Sequence, residues 1–343
     1  MRVLSIGTDR KLFDKGSATR LRHEVYAEKL GQLDCIVFAI EELKMERHVS
    51  DTLSITPTNS ISRITYGIDA AFIAWRLPRP DVLTAQDPFF VGLIGWMVSR
   101  MLGTPLHVQI HTDISAFSWM RQRLAYFVLR RATGIRVVLE RTKEEIEARG
   151  ITTPVEVLPI FVDTTRFVRL PRTKHPRWKI ALLYVGRLEP EKNPALAIAA
   201  LAAAKKAGHD AGLTIVGVGS LEAVLADQVR TLGLERNVEF KGYQKDTTPF
   251  LSSADVLLVP SLYEGYGMVI VEALAAGVPV LSTDVGIARE AGAIVVRRRD
   301  FTRALLSWIA NGPRQGTLAL SMPNSFDVYA DIYVADLRAR VAE

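Results

Sequence analysis

Disulfide cross-links within this chain are excluded, because its 343 residues include a single cysteine, Cys35. A disulfide-stapled secreted scaffold is therefore ruled out, and we expect reducing surroundings. Long hydrophobic runs are also lacking. The longest, residues 89–98 and 195–204, are about half of the roughly 20 residues that a membrane-spanning helix needs. The first residues lack the apolar stretch of a signal peptide, so we predict a cytoplasmic location.

Acidic residues are fewer than basic ones. The chain has 43 Lys and Arg against 37 Asp and Glu, a net charge of +6, which suits a solvated basic surface, nucleic acid, an anionic membrane or phosphorylated ligands. No basic and aromatic array resembles a nucleic-acid-binding module, so no nucleic acid is expected as a partner. Basic and aromatic residues are interspersed between residues 96 and 131, which predicts either peripheral contact with an anionic membrane face or an ordinary packed helix face. They are Trp96, Arg100, Phe117, Trp119, Met120, Arg121, Arg123, Tyr126, Phe127, Arg130 and Arg131.

What the chain does contain is a repeated alternation of strand-like and helix-like segments. Runs rich in β-branched residues are separated by helical patterns, which is typical of parallel sheets covered by helices on both faces. The alternation stops at a basic stretch and begins again, so we predict two doubly wound domains, a linker near residues 163–178 and a last helix at 325–341. The predicted strands are 2–7, 34–39, 81–84, 106–110, 135–139 and 155–157, then 180–185, 212–216, 238–240, 256–259, 278–282 and 293–296.

A first chemical motif follows the opening strand of the second half. Gly186 allows a tight exit from the strand, and Asn193 and Pro194 suit the start of a helix. Arg187 and Lys192 therefore lie at a helix N-terminus, where anions are favoured. Two cations at this place suit a diphosphate; the alternative is an ordinary loop with solvated charges.

A second motif follows a later strand of the same half. Gly265 and Gly267 let backbone amides approach a ligand. Glu264 lies on this loop and Glu272 on the helix that begins near Met268, so both carboxylates can face one pocket. Glu272 sits among apolar residues, where a carboxylate needs a partner, and a sugar diol can donate two hydrogen bonds to it. Either acid alone is also explained as a complement to the helix dipole.

These motifs, with the segment EALAAGVPVLSTDVG that begins at Glu272, resemble the retaining glycosyltransferases of family 4, also called group 1, which have the GT-B fold. Similar segments in the first half are AQDPFFVGLIG, HVQIHTDIS, IRVVLERTKEEIEARGI and EVLPIFVDTTRF, so the resemblance covers nearly the whole chain. It implies an α/β protein of two facing Rossmann-like domains with an interdomain cleft and a C-terminal crossover helix. Residues 1–168, joined by the helix at 325–343, would bind the acceptor, and residues 169–324 the nucleotide-sugar donor.

The resemblance also implies roles for individual residues of the second half. Arg187 and Lys192 match the pair that holds the donor phosphates and stabilises the leaving nucleotide. Glu272 matches the acid that bonds the donor ribose, and Glu264 the acid near the transferred sugar. Val218 stands where the family often has an acid between two glycines. Further donor contacts are implied for Gly186, Gly217, Gly219, Tyr243, Gln244, Gly265, Tyr266, Gly267 and Met268.

In the first half the resemblance points to two loops. Gly16 and Arg20 match the family's flexible glycine loop over the donor, with a plain helix-capping loop as the alternative. His111 follows a predicted strand and matches a catalytic-cleft histidine; the alternative is a satisfied structural histidine. Asp113 is its companion on the acceptor side.

The expected reaction is hexosyl transfer with retention, from a UDP- or GDP-sugar to a saccharide or lipid-linked acceptor. No catalytic nucleophile is identifiable in the sequence. The resemblance to family 4 implies front-face attack, with the leaving phosphate accepting the acceptor's proton. No acidic metal-holding motif is present, which predicts metal independence and no cofactor besides the nucleotide sugar. Two alternatives remain open: a sugar-nucleotide epimerase or hydrolase on the same fold, and a catalytically silent sugar-nucleotide-binding protein.

Overall fold

The chain forms two compact units in a computed structural model that describes residues 1–168 and 170–341. Unit 1 contains residues 1–161 with the C-terminal segment from residue 323, and unit 2 contains residues 162–322. The sequence placed the division at 168/169 and 324/325. Arg169, at that predicted division, and residues 342–343 of the predicted last segment lie outside the described residues.

Unit 1 is built on an eight-stranded sheet with the strand order β3-β4-β2-β1-β5-β6-β7-β8. Neighbouring strands are parallel, except that β3 runs antiparallel to β4. The strands are β1 (Arg2–Gly7), β2 (Gln32–Val37), β3 (His48–Val49), β4 (Leu53–Pro57), β5 (Val82–Ala85), β6 (Leu106–Ile110), β7 (Gly134–Val137) and β8 (Val155–Val157). Its first five helices are α1 (Ala18–Leu30), α2 (Tyr66–Arg76), α3 (Phe90–Leu102), α4 (Trp119–Leu129) and α5 (Glu140–Ala148).

Unit 2 is built on a six-stranded parallel sheet with the order β11-β10-β9-β12-β13-β14. The strands are β9 (Ile180–Val185), β10 (Ala211–Val216), β11 (Val238–Phe240), β12 (Val256–Val259), β13 (Val280–Thr283) and β14 (Ile294–Val296). The helices are α6 (Thr165–Val168), α7 (Pro194–Lys206), α8 (Glu222–Thr231), α9 (Thr248–Ser253), α10 (Met268–Ala275), α11 (Ala288–Ala291) and α12 (Phe301–Asn311).

The last helix, α13 (Phe326–Ala339), belongs to unit 1 and packs beside α1. Its apolar side chains share a core with one face of the sheet, where Val3 and Leu33 point. Polar groups lock its position, because the His107 ring bonds Asp336 at 3.0 Å and Gln109 Nε2 donates to the Tyr333 hydroxyl at 2.7 Å. The opposite face of the sheet packs against α2–α5. The sheet face toward α2–α5 is therefore apolar, whereas the face toward α1 and α13 carries both apolar and polar residues.

Strands β3 and β4 were not predicted from the sequence. β3 has only two residues, and β4 alternates Leu and Ile with Ser and Thr before ending at Pro57. Because the pattern is short and ends in a proline, it resembles a turn segment in the sequence. β4 is nevertheless fully integrated, pairing in parallel with β2 along its whole length.

The stretch predicted as a linker is largely part of unit 2. Arg172 donates to the carbonyl oxygen of Leu251 at 2.5 Å, and the Thr173 amide donates to that of Ser252 at 2.9 Å. Trp178 is buried over Gly212, where a Cβ would come within 2.0 Å of the indole ring. The basic stretch thus covers the start of the second sheet. Within residues 1–168 and 170–341, none of the helices combines the length and apolarity required to cross a bilayer.

Candidate active site

The loop after β9 carries the two predicted phosphate-binding cations. Gly186 continues the sheet, since its amide donates to the carbonyl oxygen of Val216 at 3.0 Å. A 3₁₀ turn over Pro190–Lys192 follows, and Asn193 has a φ of 49° before α7 begins. Its side chain makes no cap hydrogen bond, contrary to the expected N-cap role, and its Nδ2 donates instead to the carbonyl oxygen of Pro260 at 3.2 Å. Asn193 therefore joins the loop to the end of β12.

The structure brings the two sequence motifs of this unit together. Lys192 Nζ lies 2.5 Å from Glu264 Oε2, and the Ser261 hydroxyl donates to Glu264 Oε1 at 2.8 Å. The Lys192 and Glu264 side chains are only 18% and 12% exposed. The Leu262 amide also donates to the carbonyl oxygen of Glu191 at 2.8 Å. A partly desolvated ion pair and a backbone bond thus connect loops that are distant in the sequence.

Arg187 is placed differently from Lys192. Its side chain is 67% exposed and pairs with Glu191 at 2.7 Å, an interaction that solvent screens strongly. Its backbone is fixed, because its carbonyl oxygen accepts the Tyr184 hydroxyl at 2.9 Å. The loop therefore offers one anchored ammonium and one guanidinium that can turn toward an anion.

The glycine pair Gly217 and Gly219 permits close packing against the cation-bearing loop. A Cβ on Gly217, whose φ is 137°, would lie 1.9 Å from the carbonyl oxygen of Gly186. A Cβ on Gly219 would lie 2.5 Å from that of Leu188. The Glu189 carboxylate then accepts the Ser220 amide and hydroxyl at 3.0 and 2.6 Å. These glycines thus have a packing role in addition to the predicted donor contact.

The glycine loop before α10 is held from its other side. The carbonyl oxygen of Tyr266 accepts the Ile287 amide at 2.7 Å, and Gly267 has a φ of 93°. The Tyr266 side chain is buried, so only its backbone is available to a donor, and Gly265 is half-buried. Met268 exposes 49% of its surface at the start of α10.

Glu272 lies in the middle of α10 and is half-buried. Burial raises the pKa of its carboxyl, and the charge of Arg166 and a 3.4 Å hydrogen bond from Thr247 counteract that rise. A long single bond leaves much of this carboxylate's accepting capacity unused. Thr247, Arg166 and Ser261 were missed by sequence reasoning, because each acts through a tertiary contact that no local motif marks.

The predicted nucleobase segment lies beside the glycine pair. The carbonyl oxygen of Gly242 accepts the Gly217 amide at 2.8 Å. Tyr243 is 73% exposed, and Gln244 Nε2 donates to the carbonyl oxygen of Lys241 at 2.8 Å. The exposed Tyr243 ring thus lies next to the loop that packs on Gly186, and its contact with the nucleobase stays a prediction.

The predicted glycine loop of unit 1 caps helix α1. Gly16 has a φ of 83° with open space around it, and the Ser17 hydroxyl accepts the Arg20 amide at 3.1 Å. The Arg20 side chain is buried and donates to Glu24 at 2.7 Å and to the carbonyl oxygen of Leu12 at 3.4 Å. The Arg20 side chain therefore bonds within its own helix and the turn before it, and its predicted donor contact stays a prediction.

His111 and Asp113 follow β6 in unit 1. His111 lines a cavity, and burial, with the charges of Arg136 and Arg22, lowers the pKa of its ring to about 3. The ring is therefore neutral near pH 7. Asp113 accepts the Ser115 amide at 2.8 Å and its hydroxyl at 2.6 Å, so its carboxylate caps a short turn.

These sites lie in regions that match known families. Residues 170–294 match the family described as glycosyl transferases group 1, and residues 46–160 match the glycosyl transferase 4-like domain. The chain belongs to the group 1 glycosyltransferases. The predicted family is thereby confirmed.

Individual curated relatives match only part of this chain. Glycogen synthase from Mycobacterium tuberculosis is 30% identical over 228 residues, which are 61% of this chain and 53% of that protein. A GDP-mannose-dependent alpha-(1-6)-phosphatidylinositol dimannoside mannosyltransferase from the same species is 33% identical over 223 residues, 59% of this chain and 57% of that protein. The chain thus spans about half the length of the curated relatives it matches.

The fold comparison covers the whole chain. The crystal structure of Anabaena HepE in complex with UDP superposes with a TM-score of 0.69 at 17% identity, covering 100% of this chain and 98% of that one. Together with the two parallel-sheet units, this confirms the GT-B fold class. Within the described residues, no group of three or more His, Cys, Asp or Glu side chains is gathered as a metal site.

Proposed function

We propose that this group 1 glycosyltransferase moves a hexose, with retention, from a nucleoside-diphosphate sugar to a saccharide or lipid-linked acceptor. The observation that carries the proposal is the 2.5 Å contact between Lys192 and Glu264. Lys192, the cation predicted to bind the donor phosphates, is paired directly with Glu264, the acid expected near the transferred sugar. The HepE complex with UDP and the GDP-mannose-dependent relative support a UDP- or GDP-sugar as donor.

The chemistry follows from where charge develops. The bond between the anomeric carbon and the diphosphate oxygen breaks, the acceptor oxygen bonds that carbon from the same face, and the acceptor's proton passes to the departing phosphate. Negative charge on the leaving group grows in the transition state, so Arg187 and Lys192 stabilise it electrostatically. Glu264 holds Lys192 in place, and Glu272 accepts the ribose hydroxyls. His111, neutral near pH 7, would assist as a hydrogen-bonding group rather than a cation.

Turnover with UDP- and GDP-sugars tests the proposal. We expect nucleoside diphosphate to be released only with an acceptor, and the glycoside formed to keep the donor's anomeric configuration by NMR. Release without acceptor identifies a hydrolase, and a sugar nucleotide of changed stereochemistry identifies an epimerase. Binding without turnover, seen as a thermal shift alone, identifies a silent binding protein. Each of these three results contradicts transfer.

We further propose that unit 1 contacts an anionic lipid surface through α2, with residues 96–131 as the alternative surface. Within residues 96–131, Tyr126 is buried and Arg121 stacks on Phe117 at 4.3 Å, while Trp119 and Met120 are exposed. A larger set of exposed apolar side chains forms a stripe along and just before α2. They are Ile61, Ile64, Ile68, Phe72 and Trp75, each at least 50% exposed.

The charges around this α2 stripe favour lipid headgroups. Arg63, Arg76, Arg79 and Arg100 are exposed, and the Arg76 guanidinium stacks 3.9 Å from the centre of the Phe72 ring. Apolar side chains flanked by arginines suit an acyl-headgroup boundary. We expect vesicles of phosphatidylcholine and phosphatidylglycerol to bind the protein, and to bind it more weakly at high salt. Co-sedimentation measures this binding.

Two variants test the location. Phe72→Ser with Trp75→Ser should abolish vesicle binding, whereas Val224→Ser, an equally exposed apolar position on α8, should leave it unchanged. Equal binding to neutral and anionic vesicles, or an unaffected double variant, argues against the α2 stripe.

A further inference from the structure

Unit 1 contains a cavity of about 350 Å³ between the sheet and helices α1 and α13. Its wall includes Ser5 and Gly7 of β1 and residues at or beyond the ends of the neighbouring strands, such as Gln86 and His111. Ligands of parallel α/β sheets bind at this edge. The volume is at the lower end for small-molecule sites and suits a molecule about the size of a monosaccharide.

A buried cation lines this cavity without an acidic partner. Arg136, in β7, is 4% exposed and donates to Gln109 Oε1 at 3.0 Å, to the carbonyl oxygen of Leu158 at 3.3 Å and to the Tyr329 hydroxyl. All three acceptors are neutral, and its Nε has no hydrogen-bond partner in the described part of the chain. Burying a guanidinium is costly unless a charge compensates it. The arrangement is therefore incomplete without an anion.

A second arginine reaches the same cavity. Arg22, on α1, lines it and forms no hydrogen bond or ion pair with any residue that the structure describes. The acid in the lining, Asp9, is already engaged, accepting the Lys11 amide and the Thr19 hydroxyl, each at 3.0 Å. Burial and these two arginines depress the pKa of the His111 ring. The interior thus has a positive potential.

We infer that this cavity binds a small hydroxylated acid, with its phosphate or carboxylate between Arg136 Nε and Arg22. Guanidinium groups are well suited to both oxyanions. Ser5, Thr8 and Gln86, which also line the cavity, supply polar groups for the hydroxyls of such a molecule. The site lies wholly in unit 1 and does not depend on sugar transfer at the donor loop of unit 2.

Calorimetric titration of the full chain tests this inference. The ligands are inorganic phosphate, glucose 6-phosphate and glucuronate, with glucose as the neutral control. We expect both sugar acids to bind and glucose to bind at least tenfold more weakly. The tighter of the two acids identifies a phosphate or a carboxylate as the preferred group. Inorganic phosphate should bind more weakly than glucose 6-phosphate, because it leaves the hydroxyl-binding groups unused.

Variants assign the binding to this cavity. Arg22→Gln and Arg136→Met should each weaken the sugar acids about tenfold or more, the value of a hydrogen bond to a charged group. Arg187→Gln, at the donor loop, should leave the dissociation constants of both sugar acids unchanged. If Arg136→Met does not fold, Arg22→Gln decides, because the Arg22 side chain makes no hydrogen bond or ion pair with the described residues that its replacement would break. Dissociation constants above about 1 mM for both acids would overturn the inference. So would a loss of affinity for the acids in Arg187→Gln but not in Arg22→Gln.

Discussion

Lys192 Nζ and Glu264 Oε2 are 2.5 Å apart, although their residues belong to different strand-end loops of unit 2. Because both side chains are mostly buried, removal of either partner leaves a poorly solvated charge. This pair differs from Arg187 and Glu191, whose exposed contact contributes little to stability. The two cations of the donor loop should therefore respond differently to mutation.

Arg187→Ala and Lys192→Ala should each lower kcat strongly. Loss of one preorganised electrostatic group costs about 3 kcal/mol of transition-state stabilisation, roughly a hundredfold or more in rate. Lys192→Ala should also reduce the free energy of unfolding by about 1–3 kcal/mol, whereas Arg187→Ala should not. Steady-state kinetics and urea denaturation measure both effects. Arg230→Ala, which removes an exposed arginine on α8, is the matched control.

The double variant tests whether the cations act on one group. Its loss of kcat should be smaller than the product of the single losses, because both side chains stabilise the same departing diphosphate. Near-normal transfer by a folded Arg187→Ala/Lys192→Ala protein would refute the donor site.

Gly217→Ala should destabilise unit 2 far more than Gly208→Ala. Both glycines have positive φ, but a Cβ at Gly217 meets the Gly186 carbonyl oxygen at 1.9 Å and one at Gly208 meets nothing within 4 Å. We expect about 1 kcal/mol for Gly208→Ala from backbone strain and roughly 3 kcal/mol or more for Gly217→Ala. Denaturation midpoints measure the difference. Similar midpoints for the two variants would show that the loops separate easily.

Much of this architecture was predictable because local pattern and tertiary role agree. Buried parallel strands such as β9 and β12 read as short apolar runs bounded by turn residues, and both were predicted with their observed limits. The helix α10 was recognised from its apolar residues after a glycine loop. The same reasoning failed at β4, whose pattern is short and ends in proline.

For the candidate site, the sequence indicated which side chains lie on the strand-end loops but not how they pair. Spacing placed Lys192 and Glu264 at strand ends, yet nothing in the sequence indicated a direct ion pair. For Arg20 a local motif predicted a ligand contact that stays a prediction, and the sequence did not indicate that the side chain is buried and bonded to Glu24. The charge of Arg136 was missed, since a single arginine in an apolar strand carries no local signal.

Glu272→Gln should make the protein more stable at pH 7 and weaken its binding of nucleoside diphosphate. The pKa of this carboxyl is raised by burial, so the folded state loses stability as the pH rises above the unfolded value near 4.5. A neutral amide avoids that loss. It cannot, however, accept two ribose hydroxyls as a carboxylate does, so the dissociation constant for UDP or GDP should rise about tenfold.

Thermal unfolding at pH 4 and pH 7 with calorimetric titration of UDP and GDP measures both effects. Unchanged nucleotide affinity would remove Glu272 from the ribose contact. A variant less stable than the wild type at pH 7 would contradict the pKa argument.

Transfer should continue after thorough chelation of divalent metals. The proposed leaving-group stabilisation relies on Arg187 and Lys192, which carry the positive charge that a metal ion supplies elsewhere. Turnover in excess EDTA should stay within about twofold of the untreated rate, a small change on the free-energy scale. Complete loss that magnesium or manganese restores would mean that these two cations are not sufficient.

His111→Gln should flatten the pH dependence of stability in mildly acidic solution. Burial, with Arg136 and Arg22 nearby, lowers the pKa of His111 to about 3, whereas the unfolded chain takes up this proton near pH 6.5. Between these values the unfolded state binds more protons, so the wild type loses stability as the pH falls. Glutamine has no proton to take up, and the variant should lose less stability than the wild type between pH 6.5 and 4.

Urea denaturation at several pH values measures how steeply the free energy of unfolding changes with pH, with His209→Gln in unit 2 as the control. Parallel slopes for wild type and His111→Gln would show that the histidine is solvated, and the argument for a positively charged cavity around Arg136 would lose its support from this residue.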